Sequence, residues 1–221
     1  MKFLKFAAIV LCGLLLNAIT AHAAGVPQTL FEMAGAKREA ARLSDSVLVI
    51  IDAQREYIDG ALPLTGVNEA VAEIGKLLAR ARQSGTPAIH VMHKGKGGLF
   101  DPASPGFEIA APLHPLAHET IVEKSRVSAF AGTGLAEVLQ HIGRKNLIVV
   151  GFMTHNCVSS TARDARDLGY APTIIAAATA TRALPDGKGG VIPASALQAA
   201  SLAELADRTA AVAQSENDIK E

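Results

Sequence analysis

Apolar residues in this chain fall into short β-branched runs separated by segments of helical spacing. Ser46 to Ile51 reads SVLVII and predicts a strand buried on both faces, with Asp52 at its end. From Val67 to Gln83 the apolar positions Val67, Val71, Ile74, Leu77, Leu78 and Ala81 share one helical face, and Gly85 and Pro87 supply stop signals. Pro87 to Met92 (PAIHVM) predicts a second strand, and Glu119 to Glu123 (ETIVE) a third that delivers Lys124. A helix follows over Gly134 to Ile142, then a strand over Asn146 to Gly151 (NLIVVG) and a helix over His155 to Leu168 closed by Gly169. Ala171 to Ala177 predicts a fifth strand, Pro193 to Ala206 a last helix, and Thr209 to Ala213 a sixth strand. The polar tail Gln214 to Glu221 reads as mobile, and the long Gly-, Pro- and His-rich stretch His93 to His118 as functional or disordered.

Strand and helix alternate throughout. That predicts a three-layer α/β/α sandwich with a mainly parallel, five- to six-stranded, Rossmann-like sheet. Sites in such sheets form beyond the carboxyl ends of the strands. Asp52, Lys124 and the Gly151 to Cys157 segment all lie at predicted carboxyl ends, so residues far apart in sequence meet on one rim.

The first 23 residues stand apart from this pattern. Lys2 and Lys5 precede an apolar run, Phe6 to Leu16, too short to span a bilayer, and Ala21-His22-Ala23 has the small-x-small form of a cleavage site. The segment 1–23 reads as a signal peptide, which implies export to the periplasm; a buried helix, an uncleaved anchor or lipoprotein attachment at Cys12 are the alternatives. Residues 24–221 then form one domain of ordinary size. Its precursor balances 21 basic against 21 acidic side chains and has no Trp, which argues against nucleic acid, an anionic membrane surface or an aromatic stacking platform as partner. After cleavage Cys157 is the single cysteine, so no disulfide framework exists and the thiol is either a buried small hydrophobe or a reactive group.

Cys157 follows a strand and a tight turn, near the start of a helix, where the dipole favours the thiolate and free N–H groups can hold an oxyanion. It can equally be an inert packed cysteine. Asp52, at the end of a buried strand, must be paired or protonated unless it caps a helix. Lys124 reads alone as an ordinary solvated lysine.

Together these segments resemble the isochorismatase-like cysteine hydrolases, in particular their streptothricin-hydrolase-like and amidase branch. LVIIDAQREYIDG is similar to the family's first strand and loop, VEKSRVSAF to its lysine segment, and GFMTHNCVSSTARDARDLGY to its nucleophile elbow. The resemblance runs from about Ser46 to Ala213 and extends to the GGxxFDP-type loop and to Ala176–Arg182. It implies Cys157 as nucleophile, Asp52 as general base and Lys124 as the residue that organises both. It also implies a non-proline cis peptide at Phe152–Met153, with the Met153 and Cys157 N–H groups forming an oxyanion hole.

Pocket walls are expected from Gln54, Tyr57, His93, Phe100, Phe130 and His155, although Tyr57 and Phe130 also fit a core. His90, His93, His114 and His118 invite a metal, but no Asp-x-His pair accompanies them and His114 and His118 flank Pro115 in a loop, so neither a metal nor another cofactor is expected. The resemblance implies hydrolysis of an amide or cyclic amide of a small molecule through a thioester, in a homo-oligomer, most simply a dimer. Vinyl-ether hydrolysis, which family members perform without a cysteine, and a non-catalytic binding or redox module are the alternatives.

Overall fold

A computed structural model describes residues 26–36 and 38–221; the proposed signal segment 1–23 lies outside the described residues. Its sheet has six parallel strands: β1 (Ser46–Ile51), β2 (Ala88–His93), β3 (Thr120–Lys124), β4 (Asn146–Phe152), β5 (Ala171–Ala180) and, last in the chain, Ala211–Ala213. Counting a two-residue hairpin of β6 (Leu184–Pro185) and β7 (Val191–Ile192), that last strand is β8, and the sheet order is β3-β2-β1-β4-β5-β8. The helices are a single turn α1 (Leu30–Met33), then α2 (Val67–Ser84), α3 (Leu135–Ile142), α4 (Ser159–Asp167) and α5 (Ala194–Arg208).

Burial explains the layering. Every position of β1 is buried, and its alternate side chains serve opposite cores. Leu48 and Ile50 meet Val71, Ile74, Leu77 and Leu78 of α2, while Val47, Val49 and Ile51 face Leu135 and Leu139 of α3, Ala162 and Ala165 of α4 and Leu205 of α5. Each fully buried aliphatic side chain contributes about 1.5–3 kcal/mol, so the two cores, rather than helix propensity, hold the layers. The sandwich predicted from alternation is the observed fold.

Three details differ from the sequence reading. Strand β5 continues to Ala180 through an Ala/Thr run of weak strand propensity, with a register irregularity against β4 between Val149 and Gly151. The tail 214–221 is pinned, not mobile: Ile219 is buried, Arg80 of α2 donates to the Glu216 and Ile219 carbonyls at 2.6 Å each, and Lys220 accepts from the Leu43 N–H at 2.9 Å. The stretch 94–119 is ordered by turns at Pro105–Phe107 and Ala111–Leu113, with Leu113 fully buried.

Candidate active site

The parallel register brings the site together. Ile51 pairs with Gly151 and His93 with Lys124, so the carboxyl ends of four adjacent strands end at one rim. A β-carbon on Gly151 would collide with the backbone of Ile51, so only glycine lets the ends of β1 and β4 approach this closely. Asp52 leaves β1 with φ 48°, a left-handed conformation that costs an ordinary residue on the order of 1–2 kcal/mol. Its N–H is fixed by the Val91 carbonyl at 2.9 Å.

Beyond β4 the Phe152–Met153 peptide is cis, and the chain makes a π-helical turn, Thr154–Val158, before α4 begins. The sequence reading started an α-helix at His155; the extra residue of the π turn carries Cys157 instead. Thr154 Oγ1 donates to the Ala180 carbonyl at 3.1 Å, tying this turn to β5. On the lysine side, the Ala129 N–H donates to Thr161 Oγ1 of α4 at 2.9 Å, so the segment after β3 is fastened to the same helix.

Asp52, Lys124 and Cys157 are all buried. The Lys124 ammonium lies 2.7 Å from Asp52 Oδ2, 3.0 Å from His93 Nδ1, 3.1 Å from the Arg126 carbonyl and 3.3 Å from Cys157 Sγ. Burial raises the Asp52 carboxyl to about 6 although Lys124 opposes the rise. Burial, joined by the charge of Asp52, pushes the Cys157 thiol up to about 12, and the pull of Lys124 does not offset it. Burial thus works against the thiolate expected from the helix start, and the Asp52 carboxylate stands beside the sulfur.

Asp52, His93 and Cys157 offer oxygen, nitrogen and sulfur atoms that all lie within 4.8 Å of one another, a donor set suited to a metal such as zinc. The Lys124 ammonium stands among the three, however, within 3.3 Å of each, so a metal would have to displace a cation already seated there. His90 belongs to a different cluster, bonded to Glu119 at 2.9 Å.

The remaining candidates divide. Tyr57 and Phe100 are buried with ring centroids 5.0 Å apart, and Phe100 meets the His93 ring at 5.1 Å, so the three form a wall beside the ammonium. Phe100 also takes a positive φ of 57°. The Tyr57 phenol is pushed upward by burial and by the Asp52 and Cys157 charges. His155 Nδ1 lies 2.5 Å from Thr181 Oγ1, at the mouth of β5. Gln54 is not free to meet a substrate: its amide oxygen accepts the His93 N–H at 2.7 Å, and its nitrogen donates to the His93 and Phe107 carbonyls at 3.0 and 2.8 Å. Phe130 stacks on Tyr170 at 6.1 Å, just before β5 starts, and so packs towards the amino ends of the strands. The sequence reading missed the Arg126 carbonyl and the His93–Lys124 contact; neither has a local motif.

Known proteins resemble this chain in sequence and in fold. A secreted isochorismatase effector of Verticillium dahliae is 36% identical over 177 residues, 79% of this chain and 90% of the relative. A streptothricin hydrolase of Streptomyces noursei is 34% identical over 139 residues, 62% of this chain and 50% of that protein. A maleamate amidohydrolase of Pseudomonas putida is 30% identical over 146 residues, 58% of this chain and 68% of its own length. The crystal structure of an isochorismatase from Pseudomonas putida KT2440 superposes with a TM-score of 0.84 at 46% identity, covering 88% of this chain and 100% of that one. With the isochorismatase domain matched over residues 46–217, the chain belongs to the isochorismatase family of hydrolases.

Proposed function

We propose that the protein hydrolyses a carbon–nitrogen bond, in an amide or cyclic amide of a small molecule, through a thioester on Cys157. The observation that carries this reading is the single ammonium of Lys124 in contact with both Asp52 and Cys157. Asp52 takes the thiol proton as sulfur attacks the carbonyl carbon, and the N–H groups of Met153 and Cys157 are the donors offered to the oxyanion. When the tetrahedral adduct collapses, the C–N bond breaks and Asp52 returns the proton to the departing amine. Water then attacks the thioester, Asp52 accepts its proton, and the acid product leaves as the thiol is re-formed. Lys124 keeps a positive charge beside whichever partner is anionic. The amidohydrolase among the relatives supports the bond type, and the thiol disfavours vinyl-ether chemistry.

Because the base must be ionised, kcat/KM rises with pH through about 6. The thiol, raised to about 12, contributes no second limb in the ordinary assay range. A panel of small amides, lactams and ureides supplies a substrate. Acid quenching in the steady state then yields a Cys157-acyl mass adduct, and alkylating Cys157 abolishes turnover. Activity that survives complete alkylation sinks the thioester.

We extend the proposal to location and assembly. Segment 1–23 directs export, so N-terminal sequencing of the processed protein starts near Ala24. The exposed alanine face of α5 suits a two-fold dimer, which light scattering at micromolar concentration checks.

A further inference from the structure

An ammonium has three N–H groups, yet four acceptors surround Lys124 Nζ within 3.3 Å. The three shorter contacts go to Asp52, His93 and the Arg126 carbonyl, and the sulfur is the outermost. We propose that His93 is a positioning residue for Lys124: its unprotonated Nδ1 and the Arg126 carbonyl form a fixed two-point pivot, and the third N–H is shared between Asp52 and Cys157.

This rests on the proton transfer set out above. As the proton moves from Sγ to the carboxylate, negative charge passes from Asp52 to sulfur. The cation must follow it without leaving either group. Two neutral acceptors that do not change charge allow that, because they hold the ammonium so that its third N–H faces both the carboxylate and the sulfur throughout.

Several independent features hold His93 to this task. Strand pairing seats it directly opposite Lys124. Gln54 grips its backbone on both sides, accepting from its N–H and donating to its carbonyl. Phe100 packs against the ring edge-on. The charged groups that face the imidazole are Lys124 from β3, Asp52 from the end of β1 and Cys157 from the π turn, with Tyr57 behind Phe100. Burial and the Lys124 charge hold the imidazole down to about 4, so it stays neutral across the working range and its Nδ1 lone pair remains an acceptor.

The test uses three substitutions and one readout that needs no substrate, the rate of Cys157 alkylation by iodoacetamide against pH, followed by peptide mass spectrometry. Because Gln54 holds backbone atoms, the end of β2 keeps its place when the side chain changes. His93→Leu removes the acceptor. His93→Asn sets an amide oxygen near the position of Nδ1, and His93→Gln sets one near Nε2 instead. With Leu and with Gln, alkylation at pH 8 slows about tenfold, equivalent to one pH unit in the thiol, and kcat falls by a similar factor with little change in KM. Asn restores most of both. An alkylation profile for Leu and Gln that superimposes on wild type overturns the proposal, as does an Asn variant no better than Gln. If Leu does not fold, the Asn–Gln pair decides alone. A shifted alkylation profile in an enzyme that cleaves no amide upholds the pivot while removing the carbon–nitrogen reading.

Discussion

Strand β2 carries two histidines, one within the strand and one at its carboxyl end, and each sits with a carboxylate and a cation. On the α2 face, His90 bonds Glu119 at 2.9 Å, and Glu119 also accepts from Arg82 Nε and Nη2 and from the Leu116 N–H, each at 2.8 Å. Both oxygens of that carboxylate have donors, and the Arg82 guanidinium beside it leads the group that holds it down at about 2. At the carboxyl rim, His93, Lys124 and Asp52 use the same kinds of group to the opposite effect. Here the carboxylate is fully desolvated, shares one cation with three other acceptors and is raised to about 6. A saturated carboxylate is a fastener. A carboxylate short of donors, with a thiol beside it, is suited to the part of base proposed for Asp52.

The contrast is broken most severely at the sulfur. Cys157→Ala lowers kcat/KM by about 10⁴-fold or more while thermal denaturation shows little change, because the nucleophile goes but a small side chain stays. Retained turnover would dissolve the distinction between the two clusters. Lys124→Met comes next, with activity lost and stability lowered by about 3–5 kcal/mol at pH 8, since Asp52 becomes a buried charge without a partner. The sign of its pH dependence follows from a folded-state value above the unfolded one. The protonated carboxyl is tolerated below that value and the charged form penalised above it, so the variant recovers stability at pH 5. Denaturation midpoints at the two pH values check this. Glu119→Gln is the mildest on chemistry: it costs about 1–3 kcal/mol of stability and leaves kcat within about twofold. Because the Glu119 value is depressed, wild type loses that contribution as pH falls from the ordinary carboxylate range towards about 2, and the variant loses much less over the same interval.

How far the sequence reaches can be judged from particular residues. The β-branched runs of β1 and β4 announce buried strands, and parallel alternation places Asp52, Lys124 and Cys157 on one rim before any side chain is drawn. What stays hidden depends on depth and partners. The thiol reads as activated from its position in the chain, yet burial outweighs the dipole and the lysine, and depth is not written in a local motif. Gln54 looks like a pocket residue because it follows the base; its role as a clamp needs the Phe107 carbonyl, 53 positions away. The tail has one apolar anchor, Ile219, too little for a periodicity, and its other holds are backbone carbonyls and the Glu216 and Glu221 carboxylates, all gathered by Arg80 from more than 130 positions away.

The spacing between Asp52 and Cys157 is set partly by an atom that is missing. Gly151 lets the two strand ends meet, and any side chain there would wedge them apart. Room for a bulkier acyl group therefore cannot be made at this seam. The stretch from Gly95 to Ser104 offers more freedom: its tip at Leu99 is exposed while its neighbour Phe100 packs on the His93 ring. An engineer diversifying the enzyme should randomise that loop and leave the seam untouched, so that libraries vary in what they accept and not in whether they react.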